Sequence, residues 1–324
     1  MQLAYSKYSV ARGVYRVKTK TAVIVTALGL VVGGGGGLSL ATFVTAGASP
    51  ASTVVVTQND LDNTSSSPAV VMNDGLGKWF MYNDSTDQID NTLGSFVAGP
   101  DTPPNGQGSV AFTLGANPDD RKNIATFRFS GTPLSEITTM SYAAYSHSGV
   151  AGANESPYLN FNVDFDGTGA WQKRLVYVPS ANMATVPQDT WNTYDVLDGG
   201  NALWTWSGYA NAGNQWPDGN TAEYRTWNDI LGSFSGVRLL PVGGWLGVRV
   251  GEPGPTGYTG NVDAFTLGTS AGVTTYDFEP VMLPGSKDAC KGDGWKTLTN
   301  NQASPFKNQG SCVSFVASGG KSQH

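Results

Sequence analysis

Short segments in which apolar and polar residues alternate recur between residues 78 and 279 and predict β-strands. In residues 158–165, YLNFNVDF, every second side chain from Leu159 onward is apolar, and the side chains between them are Asn and Asp. Such a strand buries one face and leaves the other to solvent, as antiparallel strands commonly do. The segments that predict strands are 78–83, 108–114, 125–131, 137–146, 158–165, 172–178, 236–242, 245–250, 261–268 and 274–279.

One segment has helical spacing instead. Residues 221–234, TAEYRTWNDILGSF, place four apolar side chains at helical spacing, those of Tyr224, Trp227, Ile230 and Leu231. Many short strands with a single short helix predict an all-β fold, a jelly-roll-type β-sandwich over residues 49–283. The spacing of the strands is not a repeat, which argues against propellers and solenoids.

The composition agrees with a β protein rich in turns. The chain has 42 glycines, and only 14% of its residues are charged. Turns between strands need Gly, Asn and Asp for positive φ angles. The first 48 residues hold five basic residues and no acid, and the remainder holds 14 basic and 25 acidic residues, a net charge of −11. A domain this acidic is a poor partner for nucleic acid, because such binding needs Lys and Arg against phosphates.

The basic amino-terminal segment has the pattern of an export signal. Positive residues up to Lys20 precede an apolar stretch that ends in Ala46-Gly47-Ala48. This order predicts a signal peptide over residues 1–48, cleaved after Ala48. The alternative is an uncleaved anchor, in which residues 21–46 cross the membrane with the basic end inside. Either reading predicts a secreted or cell-surface protein, with membrane contact only through this segment.

The two cysteines of the chain, Cys290 and Cys312, lie 22 residues apart. In an exported protein such a pair predicts a disulfide, and a CxxC redox or metal spacing is lacking. Apolar residues become sparse after residue 283. We therefore expect residues 284–324 to form a small, disulfide-closed carboxyl-terminal appendix, hairpin-like in shape.

This appendix resembles the tail of many exported bacterial proteins of unassigned function. In that family the pattern C-K-x-G-G-W-K leads to F-K-N-Q-G-x-C-V-S-F-V. The matching residues here are Cys290-Lys291-Gly292-Asp293-Gly294-Trp295-Lys296, Phe306-Lys307-Asn308-Gln309-Gly310 and Cys312-Val313-Ser314-Phe315-Val316. Asp293 stands where the family usually has Gly. The resemblance covers about 30 residues and implies export but no activity.

The body of the chain is similar to a domain that accompanies such tails. The residues that carry this similarity are Gly99-Pro100, Thr102-Pro103-Pro104, Phe129-Ser130-Gly131-Thr132, Leu134-Ser135, Gly260-Asn261-Val262-Asp263-Ala264 and Tyr276-Asp277-Phe278-Glu279-Pro280. More distantly, the last two segments resemble the terminal strands of galactose-binding-like and carbohydrate-binding jelly rolls. That resemblance implies a structural calcium ion, held here by Asp263, Asp277 and Glu279. The alternative is that Asp263 and Glu279 accept hydrogen bonds from loop amides.

Residues 162–171, NVDFDGTGAW, raise a second question about metals. Asp164 and Asp166 lie two residues apart and face the same side of a strand. A calcium loop of the EF-hand type needs a Glu at its twelfth position, which is Leu175. A turn between two strands accounts for all of these residues. The sequence gives less support to two alternatives, a calcium site that is not an EF-hand and a catalytic pair of carboxylates.

Aromatic residues are concentrated in the loop 201–220, NALWTWSGYANAGNQWPDGN. Exposed indole rings stack on the apolar faces of sugars, and Asn, Gln and Asp can bond sugar hydroxyls. The candidate ligand-binding residues are Trp204, Trp206, Tyr209, Asn214, Gln215, Trp216 and Asp218. The alternative is that these rings pin the loop to the sandwich, because aromatic side chains bury large areas.

Catalysis has little support in the sequence, which contains two histidines, His147 and His324. A Ser-His-Asp triad or a histidine zinc site would have to use His147 alone. The favoured function is a non-catalytic recognition protein of the cell envelope or extracellular space, with a glycan or cell-wall polymer as its partner. The alternatives are a structural or adhesive surface protein and a carboxylate-dependent glycan hydrolase.

Overall fold

A computed structural model describes residues 51–62, 78–117, 120–148, 155–251 and 257–321. The predicted signal peptide or anchor, residues 1–48, lies outside the described residues. Within them, no helix is long and apolar enough to cross a membrane.

Strands dominate the described chain. They are β1 (Ala51–Val56), β2 (Trp79–Asn83), β3 (Gln88–Ile89), β4 (Gly94–Ala98), β5 (Gly108–Thr113), β6 (Arg121–Thr126), β7 (Thr139–Ser146), β8 (Tyr158–Asp164), β9 (Arg174–Tyr177), β10 (Trp191–Asp195), β11 (Leu203–Trp206), β12 (Tyr224–Thr226), β13 (Arg238–Leu239), β14 (Leu246–Gly251), β15 (Thr259–Thr269) and β16 (Gly272–Phe278). The α-helices are α1 (Pro179–Asn182), α2 (Trp227–Ser233) and α3 (Gln309–Ala317).

Two sheets form the sandwich, which confirms the predicted all-β fold. The first sheet has the order β1-β16-β15-β5-β4, with β7 paired to β15 and to β10. The second has the order β12-β11-β9-β8-β14-β6-β2-β3, with β13 paired to β8. Strand β1 runs parallel to β16, in register from Ala51 opposite Val273 to Val56 opposite Phe278.

The core lies between the inward faces of the two sheets. Strand β8 contributes Leu159, Phe161 and Val163, each 0% exposed. Opposite them the first sheet buries large side chains such as Tyr142 and Phe265. Burial of apolar area at this scale is the main source of stability for a sandwich.

The predicted helix over residues 221–234 is wrong in its first half. Tyr224 belongs to β12, and α2 begins only at Trp227. Thr226 caps α2, because its side chain accepts a hydrogen bond from the backbone N–H of Asp229 at 3.1 Å. The two other short helices were not predicted. The strand β12 forms because it pairs with β11, a tertiary contact that local spacing does not reveal.

The appendix is closed by the predicted disulfide between Cys290 and Cys312. It has a small core of its own, in which both cysteines pack with Phe306 and Phe315. Its main element is the helix α3, so the expected hairpin-like shape is wrong. Asn308 caps this helix by accepting from the backbone N–H of Ser311 at 2.9 Å.

We predict that the double variant Cys290→Ala/Cys312→Ala loosens the appendix and leaves the sandwich folded. The lost cross-link corresponds to about 3 kcal/mol of chain entropy in the unfolded state. Hydrogen–deuterium exchange should become faster in residues 284–321 and stay unchanged in β8 and β14. Equal acceleration in the sandwich strands would show that the appendix is not a separate cooperative unit.

Candidate binding cleft on the second sheet

The tryptophans of the loop 201–220 lie in the core. Trp204, Trp206 and Trp216 are 0%, 9% and 2% exposed. Each indole N–H donates to a backbone carbonyl, of Val196, Gln172 and Ala222 respectively. Their ring faces are not available for stacking on a ligand. The prediction that these three rings stack on a ligand is therefore wrong. They pin the loop to the sandwich instead, which was the alternative interpretation.

The other candidate residues of this loop shape its backbone. The Tyr209 hydroxyl donates to the carbonyl of Thr221 at 2.5 Å. Asp218 pairs with Arg225 at 2.7 Å, and the Arg225 guanidinium lies 5.2 Å from the centre of the Trp216 ring. Asn214 has a φ of 61°, a conformation that Asn tolerates in turns. Gln215 is exposed.

The stretch around Asp164 and Asp166 is a turn, as the two-strand reading predicted. The Asp164 carboxylate accepts from the backbone N–H groups of Gly167 and Gly169, each at 2.9 Å, and from the Arg238 guanidinium at 2.8 Å. Asp166 accepts from the backbone and hydroxyl of Thr168. These carboxylates fix the turn that follows β8.

The three acids of the last strands meet beneath the loop between β4 and β5. Asp263 accepts from the backbone N–H of Phe278 at 2.9 Å and of Asn105 at 3.3 Å. Glu279 accepts from Gln107 at 2.6 Å and from Gly108 at 3.0 Å. These contacts match the alternative interpretation, in which Asp263 and Glu279 accept hydrogen bonds from loop amides. Among the described residues, no group of three or more His, Cys, Asp or Glu side chains is placed to hold a metal ion.

The third acid of this group, Asp277, has an unusual environment. One of its carboxylate oxygens is buried without a hydrogen-bond partner. Burial raises the pKa of Asp277, and the neighbouring Glu279 carboxylate raises it further, to about 7. Burial likewise raises the pKa of Asp263 to about 7, against the lowering effect of its backbone hydrogen bonds. Both groups therefore hold protons more tightly than in the unfolded chain.

A cavity of about 420 Å³ opens on the outer face of the second sheet. Strands β2, β8 and β9 and the turn between β13 and β14 provide most of its walls. The lining residues are Tyr82, Asp84, Asp87, Phe127, Asn162, Trp171, Arg174, Leu240, Gly243 and Trp245. We call this cavity the outer cleft. Its volume lies in the range of about 300–1,000 Å³ that small-molecule sites occupy.

Trp171 is the exposed aromatic side chain of the outer cleft. Its side chain is 51% exposed, although its indole N–H donates to the side-chain amide oxygen (Oδ1) of Asn162 at 3.2 Å. The Lys173 ammonium lies 4.8 Å from the ring centre. Val242, on the adjoining turn, is 71% exposed. The rim therefore offers apolar surface that the fold itself leaves uncovered.

An ion pair forms the polar wall of the outer cleft. Two nitrogens of Arg174 donate to the two oxygens of Asp84, at 2.8 and 2.6 Å. The same guanidinium lies 5.1 Å from the centre of the buried Trp245 ring, and Arg121 approaches Asp84 at 3.9 Å. A bidentate pair that also stacks on an indole has a fixed orientation.

A second carboxylate lies beside this pair. The Tyr82 hydroxyl donates to Asp87 at 2.5 Å. Burial raises the pKa of Tyr82 far above its usual value, and the hydrogen bond to Asp87 adds to this effect. Tyr82 is thus a neutral phenol at every physiological pH.

The buried side-chain amide of Asn162 supports the floor of the outer cleft. Asn162 is 6% exposed, and its amide N–H donates to the carbonyl of Gly243 at 2.7 Å. This bond ties β8 to the turn before β14, and the side-chain oxygen (Oδ1) of the same Asn162 amide orients Trp171. One amide thus positions two parts of the cleft wall.

None of the outer cleft residues was among the predicted site residues. The sequence carried one usable signal, because Trp171 lies two residues after the turn D-G-T-G and a turn exposes the side chains around it. Comparisons with protein-family models, with curated proteins and with solved structures found no match. The chemistry of the cleft is therefore the basis on which a function can be argued.

We predict that the protein becomes less stable as the pH rises from 5 to 8. Groups whose pKa is raised on folding stabilise the fold while protonated, and that contribution is lost as the pH passes through the folded pKa. For Asp263, a rise from 3.8 to about 7 corresponds to at most about 4 kcal/mol. The carboxylates with lowered pKa act at lower pH, outside this window.

The variant Asp277→Asn should flatten this pH dependence, because it removes a buried charge and keeps the shape. Thermal unfolding followed by circular dichroism at both pH values measures the effect. We expect a higher Tm for the variant at pH 8 and little change at pH 5. A wild-type Tm that increases toward pH 8 would contradict the prediction.

Proposed function

We propose that the protein is an exported, non-catalytic recognition protein that binds a glycan in the outer cleft. The observation that carries this proposal is the 51% exposure of Trp171 at the mouth of a cavity with a polar wall. Sugars combine apolar C–H faces with hydroxyl groups. A site for them accordingly needs an exposed ring beside fixed hydrogen-bonding groups.

The groups of the polar wall suit hydroxyl recognition. Carboxylates accept hydrogen bonds from hydroxyl groups, and guanidinium groups donate to them. Arg174, with a side chain 16% exposed, lies in the cleft wall beside Asp84, with a side chain 3% exposed, and the two groups hold each other in place. Preorganised polar groups lose little conformational entropy on binding, which favours affinity.

Export is supported by the amino-terminal pattern and by the resemblance of the tail to exported bacterial proteins. The disulfide between Cys290 and Cys312 fits an oxidising compartment. We therefore place the proposed binding at the cell surface or outside the cell. A cell-wall polymer is a natural ligand class there.

A hydrolase is the weaker candidate for the same cleft. Glycan hydrolysis needs two carboxyl groups that face the scissile bond. In the outer cleft Asp84 is held by both nitrogens of Arg174, and Asp87 accepts from Tyr82. Both carboxylates are thus engaged with protein groups, as expected for a binding wall.

The proposal predicts that Trp171→Ala weakens glycan binding by about tenfold or more, equivalent to about 1.4 kcal/mol. The loss follows from removal of the stacking ring, which contributes little to the core. Binding to a glycan array, followed by calorimetry on the best ligand, measures it. The protein used should begin at residue 49.

Trp295→Ala is the matched control for this experiment. Trp295 lies in the appendix under a lysine, with the Lys296 ammonium 6.0 Å from its ring centre, much as Lys173 lies over Trp171. The control should bind glycan like the wild type. If both variants bind normally, the outer cleft is not the site. If the wild type binds no glycan, the structural or adhesive alternative takes the lead.

A further inference from the structure

A second cavity, of about 300 Å³, lies between the beginning of β7, the end of β10 and the helix α2. We call it the α2 pocket. Its lining includes Ile137, Leu197, Trp227 and Leu231 and the polar residues Asp195 and Asn228. It shares no described lining residue with the outer cleft. We infer that the α2 pocket binds an alkylammonium group, a positively charged amine on a short hydrocarbon chain.

The floor of the α2 pocket is apolar. Ile137, Leu197 and Trp227 are buried and belong to the core of the sandwich. Leu231, on α2, is half-buried and packs against the same core. A hydrocarbon chain that enters such a pocket gains stability because its apolar surface leaves water. The floor therefore suits the apolar part of an alkylammonium ligand.

Asp195 brings a negative charge to this lining. One of its oxygens accepts from the backbone N–H groups of Leu197 and Asp198, at 3.0 and 3.1 Å, so the carboxylate is held at the end of β10. Asp195 is exposed, and within the described chain no Lys, Arg or His forms a salt bridge with it. Among the described residues that line the pocket, no other side chain is charged. The charge of Asp195 is thus left for a ligand to neutralise.

The charged residues that adjoin the lining in sequence add to the negative charge. Glu136, Asp198 and Asp229 each follow or precede a lining residue directly, and all three are exposed. Arg225, two residues before Trp227, is paired with Asp218 at 2.7 Å, and its side chain is 5% exposed. Its charge is therefore already balanced within the protein.

Two other arginines lie on neighbouring parts of the sandwich. Arg238 forms a bridge to Pro133, but its guanidinium donates to Asp164 at 2.8 Å. The Arg128 guanidinium lies 5.5 Å from the ring centre of Tyr276. Neither arginine lines the α2 pocket. Even with all three arginines counted, the acids named here leave the surroundings of the pocket negatively charged, which favours a cation.

The neutral polar groups of the lining suit an ammonium group as well. An ammonium group has three N–H donors and no acceptor. The hydroxyl oxygens of Thr138 and Thr139 and the amide oxygen of Asn228 can accept hydrogen bonds beside the Asp195 carboxylate. A ligand whose polar group only donates is therefore matched by acceptors around the pocket.

Gly200 allows the Asn228 amide to lie in this wall. The φ of Gly200 is 97°, a conformation that favours glycine. A Cβ at this position would collide with the side-chain amide of Asn228. The turn before β11 thus needs glycine here for the amide to approach so closely.

The inference is tested with n-butylammonium chloride as the probe and n-butanol as its uncharged analogue, on the same protein as the glycan experiment. The readout is the NMR signal of the Trp227 indole N–H during titration. We expect n-butylammonium to bind at least about fivefold more tightly than n-butanol, the upper range for an exposed ion pair. Its affinity should fall between about 0.05 M and about 0.5 M salt, because salt screens exposed charges.

Asp195→Asn removes the charge and keeps an oxygen that can accept from Leu197 and Asp198. It should weaken n-butylammonium binding at least about fivefold and leave n-butanol binding unchanged. Asp198→Asn is the matched control, because it removes one negative charge from the adjoining turn without changing the lining. Asp198 has a φ of 45°, which Asn accommodates. The control should weaken binding by less than about twofold.

Two more probes identify the source of the amine. A capped lysine presents the alkylammonium group as a peptide side chain, and glucosamine presents an amine on a polar ring. Capped lysine that binds as tightly as n-butylammonium supports a peptide ligand, and weaker binding supports a free alkylamine. Glucosamine that binds more tightly than both would overturn the inference, because the apolar floor would then play no part.

Other outcomes also decide the matter. Equal affinity for n-butanol and n-butylammonium, or no response of Trp227 up to about 50 mM probe, would overturn the inference. Displacement of n-butylammonium by calcium chloride at equal ionic strength would overturn it in favour of a metal site. If Asp195→Asn fails to fold, the comparison with n-butanol and the salt dependence still decide. Trp171→Ala should bind n-butylammonium normally, so a failure here leaves the proposed glycan binding untouched.

Discussion

The outer face of β8 is buried although its side chains are polar. The outer cleft depends on the hydrogen bonds that these buried side chains make. Asn160, Asn162 and Asp164 are 0%, 6% and 0% exposed. Buried polar groups need hydrogen-bond partners, because an unpaired one costs as much as a lost bond. Asp164 finds them in the turn after β8 and in Arg238, and Asn162 finds them in Trp171 and Gly243. The two partners of the Asn162 side chain, Trp171 and Gly243, are thus residues that line the outer cleft.

The fold follows from the sequence because its signals are local. Every segment predicted as a strand overlaps an observed strand, and the disulfide was predicted from the two cysteines of a chain whose sequence has the pattern of an export signal. The errors arise where tertiary contacts override local spacing. Tyr224 fits a helical stripe but pairs into β12. The outer side of β8 looks solvent-facing from its Asn and Asp residues, yet neighbouring elements cover it.

The cleft was beyond prediction for a related reason. Its polar wall joins Asp84 on the turn after β2 to Arg174 on β9, 90 residues apart. Only the order of strands in the second sheet brings them together. Conversely, the tryptophans of the loop 201–220, which were predicted to bind a ligand, are buried, as large aromatic side chains most often are. The tryptophan that stays exposed, Trp171, lies apart from that cluster, at the end of a tight turn.

The pairing of β1 with β16 has a mechanical consequence. The two strands are parallel and in register over six residues, and β1 otherwise exposes most of its side chains. A pull on the chain before β1, opposed by a pull on the chain after β16, acts along the strands in opposite directions. All the hydrogen bonds of the pair then bear the force together, instead of opening one after another. This geometry resists tension in a way that the modest side-chain burial of β1 does not suggest.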